Sequence, residues 1–487
     1  MGSSVIPACV SSSYSAHVAH FSYSECFAVC MCWRCGWVGD PLPERTRAKK
    51  ENNLCPSDFI FCFCQTEGQN STSMKRTAPT ASIPTAIRRR VAPSSTPTTR
   101  KIPIRMIEFF GGIGGMRSAI ESLTKVQLEA CMAYEISEKA NKVYRHNFPD
   151  KEGDATKKNL FSVRTKLVEQ LKVKDLLLAS SSSSSSLLLS SSPPPSEEHF
   201  NLWTMSPPCQ PFTRTRLAKQ RDLSDNRTAG FVAILHLLKA MEQTSRPQWI
   251  FLENVEGFVG SQAHKLFYET LLQCGYSWTS GVLSPVDMGI PNHRKRYFAL
   301  CEKSDRFFPR DESSIDNCPD GKDSLKSSLH LGDFPAQNLS AYVSHDIDTT
   351  NLTIPDSVFT KDWAKDLPVV SHLDTQSHCF TAAYSRQLHR ATGSLLLMEP
   401  DRTESVEKCP IDRSDITQYR GKLRRFAVPE LLKLFGFDEF FSFPSDVDQS
   451  YQYKLVGNSV NVFVIRVLLE HLLSPSSASS SGPQRET

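Results

Sequence analysis

Short apolar runs alternate with amphipathic segments through the middle of the chain. Strand-like runs are predicted at 104–109, 128–134, 202–205, 250–253 and 296–301. Amphipathic helical patterns separate them, first through Met116, Ile120 and Leu123, then after a cap at Ser137, and again at 229–241 and 264–274. Because strands that alternate with helices form a parallel sheet covered on both faces, the pattern predicts an α/β fold with a Rossmann-like sheet.

The alternation also suggests the domain boundaries. It holds over 102–302, fades over 303–420, where polar loops and short strands predominate, and returns over 421–473, with helical patterns at 428–435 and 458–472. We therefore predict one α/β domain built from 102–302 and 421–473, with a smaller domain at 303–420. A run of serine, leucine and proline at about 179–196 indicates a disordered loop insertion, and 474–487 a disordered tail.

The first 101 residues differ in composition from the rest of the chain. Eight of the fifteen cysteines lie within the first 64 residues. Cys32 and Cys35 have zinc-knuckle spacing, but no second pair follows at finger distance. The preferred interpretation is a poorly structured, Cys-rich leader joined to a disordered basic tail, and no metal is expected.

Hydropathy bears on the cellular location of the protein, and net charge bears on its partners. No apolar run is long enough to span a bilayer, and no basic segment followed by a clean apolar run marks a secretory signal. We expect a protein of the cytoplasm, the nucleus or both, with its cysteines mostly as thiols and no membrane partner. The net charge of +4 neither favours nor excludes a nucleic-acid partner, since a local basic cleft can suffice. The oligomeric state stays open.

A glycine cluster follows the first predicted strand. It comprises Gly111, Gly112, Gly114 and Gly115, and Glu135 lies twenty residues beyond it, at the end of the second predicted strand. Glycines at such a turn let the backbone approach a ligand, and a carboxylate after the next strand can accept hydrogen bonds from ribose hydroxyls. A tight turn with a surface glutamate would look similar. Together the two features favour a nucleoside cofactor.

A cysteine flanked by prolines follows the strand at 202–205. Pro207, Pro208 and Pro211 stiffen the loop that presents Cys209 at the carboxyl end of the strand, where ligands bind in open α/β sheets. A thiolate is a competent nucleophile, so we expect nearby cations to lower the pKa of Cys209. A buried structural cysteine is the alternative, and the stiff loop at a strand end disfavours it.

Two further strand ends carry ionisable side chains. Glu253 ends one strand and would face the same edge as Cys209, where a protonated carboxyl could donate to a ring nitrogen of a base. Arg294 and Arg296 lead into the next strand and project to the same side by alternation. Paired guanidinium groups suit carboxylate or phosphate contact. A capping glutamate and an edge-protecting basic strand are the alternatives.

Taken in order, these motifs resemble the DNA (cytosine-5) methyltransferase family. The resemblance covers about 104–472 without the serine insertion. It rests on the glycine turn, on 207–210, 253–255 and 292–296, and on two later segments, 425–430 and 457–460. It implies an S-adenosylmethionine-dependent methyltransferase sheet, a catalytic domain at 102–302 completed by 421–473, and a target-recognition domain at 303–420.

The resemblance also implies roles for particular residues. Cys209 would attack C6 of cytosine, Glu253 would act at N3, and Arg294 and Arg296 would complete the catalytic set. Residues assigned to the cofactor are Phe110, Gly111, Gly112, Gly114, Gly115, Glu135, Ile136, Asn159, Leu160, Pro207, Asn458, Ser459 and Val460, with Asp154 competing with Asn159 for the adenine. Residues assigned to the substrate are Gln210, Thr213, Arg214, Cys379, Phe380 and Thr381.

Finer features resemble the tRNA aspartate (cytosine-5) methyltransferase branch of the family. They are Pro211 to Arg214 in the catalytic loop, Cys379-Phe380-Thr381, and a compact layout without a large regulatory domain. This resemblance implies methylation of the anticodon-loop cytosine C38 of aspartate tRNA. A DNA (cytosine-5) methyltransferase and a catalytically weak nucleic-acid-binding protein remain as alternatives.

Overall fold

The computed structural model describes residues 101–149, 160–177, 199–213, 222–304, 324–329, 334–344, 346–398, 411–412 and 414–474. The predictions for the leader, the serine insertion and the C-terminal tail lie outside these residues, as do Asp154, Asn159 and Arg214.

Seven strands in this part of the chain form the main sheet. They are β1 (Ile102–Phe109), β2 (Val126–Tyr134), β3 (Phe161–Arg164), β4 (Leu202–Met205), β5 (Trp249–Val255), β6 (Tyr276–Leu283) and β7 (Arg296–Lys303). The spatial order is β3-β2-β1-β4-β5-β7-β6. The first five strands run parallel, and β7 is antiparallel to both of its neighbours. This topology confirms the predicted α/β fold with a Rossmann-like sheet.

Helices cover both faces of the sheet. They are α1 (Gly115–Glu121), α2 (Glu138–Asn147), α3 (Ala229–Ala240), α4 (Gln262–Cys274), α5 (Ser324–Ser328), α6 (Val428–Leu434), α7 (Gln449–Asn458) and α8 (Val462–Leu473). Ser137 caps α2 as predicted, because its side chain accepts a hydrogen bond from Ala140 N–H at 3.3 Å.

The two faces carry two separate hydrophobic cores. Alternation along β1 sends Met106 into the core that also contains residues of α1 and α8, and sends Ile107 and Phe109 into the core formed with α3 and α4. All four residues of β4 are buried, as expected for a central parallel strand. The central strands therefore end at a rigid edge, where the predicted site residues lie.

A small sheet follows the main one. Its strands are β8 (Val369–Val370), β9 (Leu395–Leu397) and β10 (Leu423–Arg424), with β9 at the centre. A third hydrophobic cluster lies under it and includes Ile354 and Phe359. Because β10 pairs with β9, this sheet extends beyond residue 420, where the smaller domain was expected to end. The domain boundaries themselves stay predictions.

The helix predicted at 458–472 is present, but it begins four residues later, at Val462. Asn458 ends α7, and Asn461 starts α8 by accepting a hydrogen bond from Val464 N–H at 3.1 Å. By length and composition alone the stretch Gln449–Leu473 could cross a membrane, but it is two helices and 56% of its apolar window is buried in the fold. The apolar periodicity of α8 is that of a core helix. Neither β3 nor β6 was predicted.

A buried ion pair secures α6 against the small sheet. Glu430, 1% exposed, accepts from Arg424 at 2.7 and 2.8 Å and from the backbone N–H groups of Ala427 and Ser344. We expect Glu430→Ala to lower the free energy of unfolding by about 3–5 kcal/mol, because Arg424 would keep a buried, unpaired charge. Chemical denaturation measures this. The exposed control Glu439→Ala should change stability by less than about 0.5 kcal/mol, and equal losses in both variants would contradict the assignment.

Candidate active site

The glycine turn between β1 and α1 holds three residues with positive φ. Phe110, Gly112 and Gly114 have φ of 59°, 54° and 90°. This left-handed conformation suits glycine, whereas at Phe110 it has a steric cost that the surrounding packing must offset. The turn brings Gly112 N–H to 3.0 Å from one oxygen of Glu135, and the other oxygen accepts from Ser137 N–H at 2.7 Å. The carboxylate is thereby fixed beside the turn.

A cavity of about 450 Å³ opens at the carboxyl ends of the parallel strands. The glycine turn, the end of β2, the Cys209 loop, the end of β5 and the turn after α7 enclose it. The predicted site residues that line it are Phe110, Gly111, Gly112, Gly115, Glu135, Ile136, Pro207, Cys209, Gln210, Glu253, Arg294, Arg296, Asn458, Ser459 and Val460. The structure thus brings together residues that lie up to 350 positions apart in the chain (460 − 110).

The cavity has the features that an adenosine-containing cofactor requires. Lone pairs of the Glu135 carboxylate are available to ribose hydroxyls beside the glycine turn. Ile136 is 60% exposed, so a large apolar side chain is free to pack on an adenine ring. Glu108 also lines the cavity, and its Oε1 atom is buried without a hydrogen-bond partner. These residues fit S-adenosylmethionine.

Cys209 lies immediately before a short 3-10 helix, Gln210–Phe212, and its thiol is half-buried. Burial raises the pKa of the Cys209 thiol, Arg296 and Arg294 oppose this rise, and Glu253 adds to it. The two arginines thus act in the predicted direction, but the pKa is raised overall, because desolvation of the thiolate outweighs their attraction. At neutral pH the nucleophile is held as the thiol.

Glu253 lies between two polar partners at the end of β5. Ser206 Oγ donates to its Oε2 at 2.5 Å, and Arg296 Nε lies 3.2 Å from its Oε1. The antiparallel register of β5 and β7 produces this contact, since Val255 is paired with Arg296. The glutamate and arginine side chains are 8% and 17% exposed, so the pair faces the cavity with little solvent around it.

Arg294 has a different environment from Arg296. It is 4% exposed, and its guanidinium donates to the carbonyls of Phe380 at 2.9 Å, Gly457 at 3.2 Å and Ser459 at 2.5 Å. Burial lowers its pKa. The structure therefore corrects the expectation that both arginines serve the chemistry directly, because Arg294 is occupied in holding three carbonyls of two backbone segments.

The predicted substrate segment Cys379-Phe380-Thr381 does not line the cavity. Phe380 is fully buried and makes edge-to-face ring contacts with Tyr384 and Phe426, so its assignment to the substrate is wrong. Cys379 is half-buried, and its sulfur accepts from Arg294 Nη1 at 3.6 Å. Thr381 packs its backbone against Gly457. The segment therefore contacts Arg294 and Gly457, which line the cavity, without lining it itself.

Three other predicted residues also lie off the cavity lining. Gly114 is needed for packing, since a Cβ there would lie 2.4 Å from the ring of Phe148. Leu160 packs against both cores of the sheet, which corrects its assignment to the adenine. Thr213 donates to the Gln210 carbonyl at 3.1 Å and so ends the 3-10 helix of the catalytic loop.

The cavity lining includes residues that were not predicted, among them Glu108, Arg227, Tyr451 and Lys454. The Arg227 guanidinium pairs with Asp225 at 2.7 Å, and its side chain is half exposed. Lys454 lies on α7, one turn before the asparagine turn that closes the cofactor pocket. The sequence shows Lys454 four residues before Asn458, which on a helix places both on the same face. The position of Arg227 at the cavity, in contrast, depends on the fold.

Fold and site together define a methyltransferase that uses S-adenosylmethionine and whose cavity is lined by one cysteine, Cys209, in the described part of the chain. The chain matches the family of C-5 cytosine-specific DNA methylases over residues 104–181 and 194–474 and belongs to that family. It is a cytosine-5 methyltransferase enzyme, and its cofactor is S-adenosylmethionine.

The relatives include enzymes named as methyltransferases of tRNA and enzymes named as methyltransferases of DNA. The human tRNA (cytosine(38)-C(5))-methyltransferase is 28% identical, over 76% of this chain and 99% of the relative. A DNA (cytosine-5)-methyltransferase of Dictyostelium discoideum is 27% identical, over 77% of this chain and 95% of the relative. The methyltransferase EhMeth of Entamoeba histolytica superimposes with a TM-score of 0.57 at 26% identity, covering 77% of this chain and 98% of that structure.

The position of Glu135 predicts a specific loss of cofactor affinity. We expect Glu135→Ala to weaken S-adenosylmethionine binding by about 10- to 100-fold, because a charged acceptor for the ribose and the anchor of Gly112 are both lost. Isothermal titration calorimetry measures this. Glu138→Ala, on the exposed side of the first turn of α2, should bind as the wild type does. Unchanged affinity in Glu135→Ala would contradict the assignment.

Proposed function

We propose that this enzyme methylates C5 of cytosine in tRNA, with the anticodon-loop cytosine C38 of aspartate tRNA as its target. The observation that carries the chemistry is the grouping of Cys209, Glu253 and Arg296 around one cavity beside the glycine turn. Support for tRNA comes from a relative named for cytosine 38 of tRNA that is matched over 99% of its length.

The side chains at the cavity suit attack on an aromatic base. Once deprotonated, the sulfur of Cys209 bonds to C6 of cytosine, which breaks the aromaticity and makes C5 nucleophilic. The carboxyl of Glu253, positioned by Ser206 and Arg296, protonates or hydrogen-bonds N3 and so stabilises the negative charge that develops on the ring. S-adenosylmethionine, when bound, supplies the methyl group. Loss of the C5 proton and departure of the Cys209 sulfur then restore the ring.

An unpaired loop suits this site better than a duplex. The nucleophile lies in a half-buried cavity, so the target base must leave its stack to reach it. Bases in a single-stranded loop are splayed out at low cost, whereas extrusion from a duplex costs a few kcal/mol. This difference favours an anticodon loop.

DNA is the second candidate substrate. The Dictyostelium relative named as a DNA methyltransferase matches almost as much of the chain, and the chemistry at Cys209 would be the same. A protein that binds nucleic acid without turnover is disfavoured by the complete catalytic set at the cavity.

Methyl transfer from labelled S-adenosylmethionine to total tRNA and to unmethylated duplex DNA tests the proposal. We expect label on tRNA, mapped by bisulfite sequencing to one anticodon-loop cytosine, and its loss in Cys209→Ala because no other thiol lines the described cavity. The matched control is Cys274→Ala, which alters a buried thiol at the end of α4. Label on DNA alone would overturn the substrate, and label on neither, with cofactor bound, would overturn the catalytic function.

Two basic side chains at the cavity predict a phosphate contact. Arg227 and Lys454 both line the cavity, one before α3 and the other on α7. We expect Arg227→Ala and Lys454→Ala each to weaken tRNA binding and to reduce the slope of log K against log salt by about 0.7–0.9, the value of one released counterion. Filter binding across salt concentrations measures the slope. Lys433→Ala, an exposed residue outside the cavity, should keep the wild-type slope.

A further inference from the structure

A buried carboxyl group forms the floor of the cofactor cavity. Glu108 is the penultimate residue of β1 and is 1% exposed. Tyr144 Oη donates to its Oε2 at 2.8 Å, whereas its Oε1 is buried without a partner in the described structure. Glu108 also lines the cavity. A half-satisfied buried carboxyl is costly, so it requires a ligand contact or a proton.

The groups that face Glu108 come from three elements. Arg117 of α1 is 4% exposed, and its guanidinium is bonded to Glu121 at 2.9 Å and lies 4.6 Å from the centre of the Phe148 ring. Cys131 of β2 contacts Tyr144 Oη of α2 at 3.5 Å. The Arg117 guanidinium thus acts on Glu108 through space, and the backbone N–H groups of Met116 and Arg117 at the start of α1 also favour the charged carboxylate.

These surroundings leave Glu108 as the titrating group. Burial raises the pKa of Glu108 to about 7, against the opposing effects of the Tyr144 hydrogen bond, the charge of Arg117 and the backbone N–H groups of Met116 and Arg117. Burial raises the pKa of Cys131 to about 12 and that of Tyr144 well above its usual value, so both stay neutral near pH 7. No histidine is found among the described residues that line the cavity. Of these three neighbouring groups, Glu108 is therefore the one that changes charge in this range.

A cationic ligand selects one of the two states of Glu108. S-adenosylmethionine carries an ammonium and a sulfonium, and both cations are attracted much more strongly by a carboxylate than by a neutral carboxyl group. A ligand that binds one protonation state better must shift the equilibrium toward it.

We propose that cofactor binding by this enzyme is coupled to loss of a proton from Glu108, whose vacant oxygen then accepts a hydrogen bond from the bound cofactor. The bond that breaks is O–H of the carboxyl group, and the proton passes to solvent as the cofactor enters. The coupling depends on the cofactor alone, and holds whichever nucleic acid is methylated.

Calorimetry tests the coupling without any methyl transfer. S-adenosylmethionine affinity of the wild type should rise by about eightfold between pH 6 and 7.5, with net proton release seen as a dependence of the binding heat on the buffer. The upper limit lies below the range in which the α-amino group of the ligand titrates, about 7.7–8.0. Glu108→Gln should abolish both the pH dependence and the release. A wild-type affinity that is flat over this range would overturn the proposal.

Two further variants separate coupling from general damage. Tyr144→Phe removes the donor that lowers the pKa of Glu108, so the affinity curve should keep its shape and move to higher pH. Glu121→Gln, at the exposed partner of Arg117, should leave the curve within about half a pH unit of the wild type. If Glu108→Gln fails to fold, an unshifted curve in Tyr144→Phe overturns the proposal by itself.

Discussion

Three separate segments of the chain meet at one buried guanidinium. Arg294 donates to the carbonyls of Phe380, Gly457 and Ser459. The last two belong to the end of α7, where helix carbonyls lack intrahelical partners and carry partial negative charge. Taking a guanidinium out of water is costly, and these charge-assisted bonds offset much of the cost. The interaction joins the return segment to the entrance of β7 and thereby positions the cavity wall that packs against the glycine turn.

Close backbone approach completes that wall. At Gly457 a Cβ would lie 2.2 Å from the carbonyl carbon of Thr381, and at Gly115 one would lie 2.7 Å from Cγ2 of Val460. Any larger residue at either place would push α7 or α1 away from its neighbour. The cofactor pocket thus depends on glycine in two ways, for the left-handed turn itself and for the contact between the first motif and the last.

Burial and ion pairing keep the side chains at the cavity in weakly reactive states before substrates bind. Burial holds Cys209 as a thiol, which reacts slowly with oxidants and stray electrophiles. Arg296 is paired with Glu253, so its charge does not attract the thiolate strongly enough to offset desolvation. In the proposed mechanism a bound base changes this balance, because it displaces water and supplies a partner for Glu253.

The sequence by itself determined five of the seven strands of the main sheet, the order of the motifs, and the place of Cys209 and Glu253 at one sheet edge. Strand periodicity sends the residues at strand ends to that edge, and proline and glycine restrict the loops locally. It indicated Glu135 as well, from its spacing to the glycine turn. Tertiary structure alone decided that Arg294 and Phe380 are buried, that the pKa of Cys209 is raised, and that Glu108 is left with a vacant oxygen. Burial and partners of a side chain depend on segments distant in sequence, and desolvation, which sets each of these outcomes, has no periodic signature along the chain.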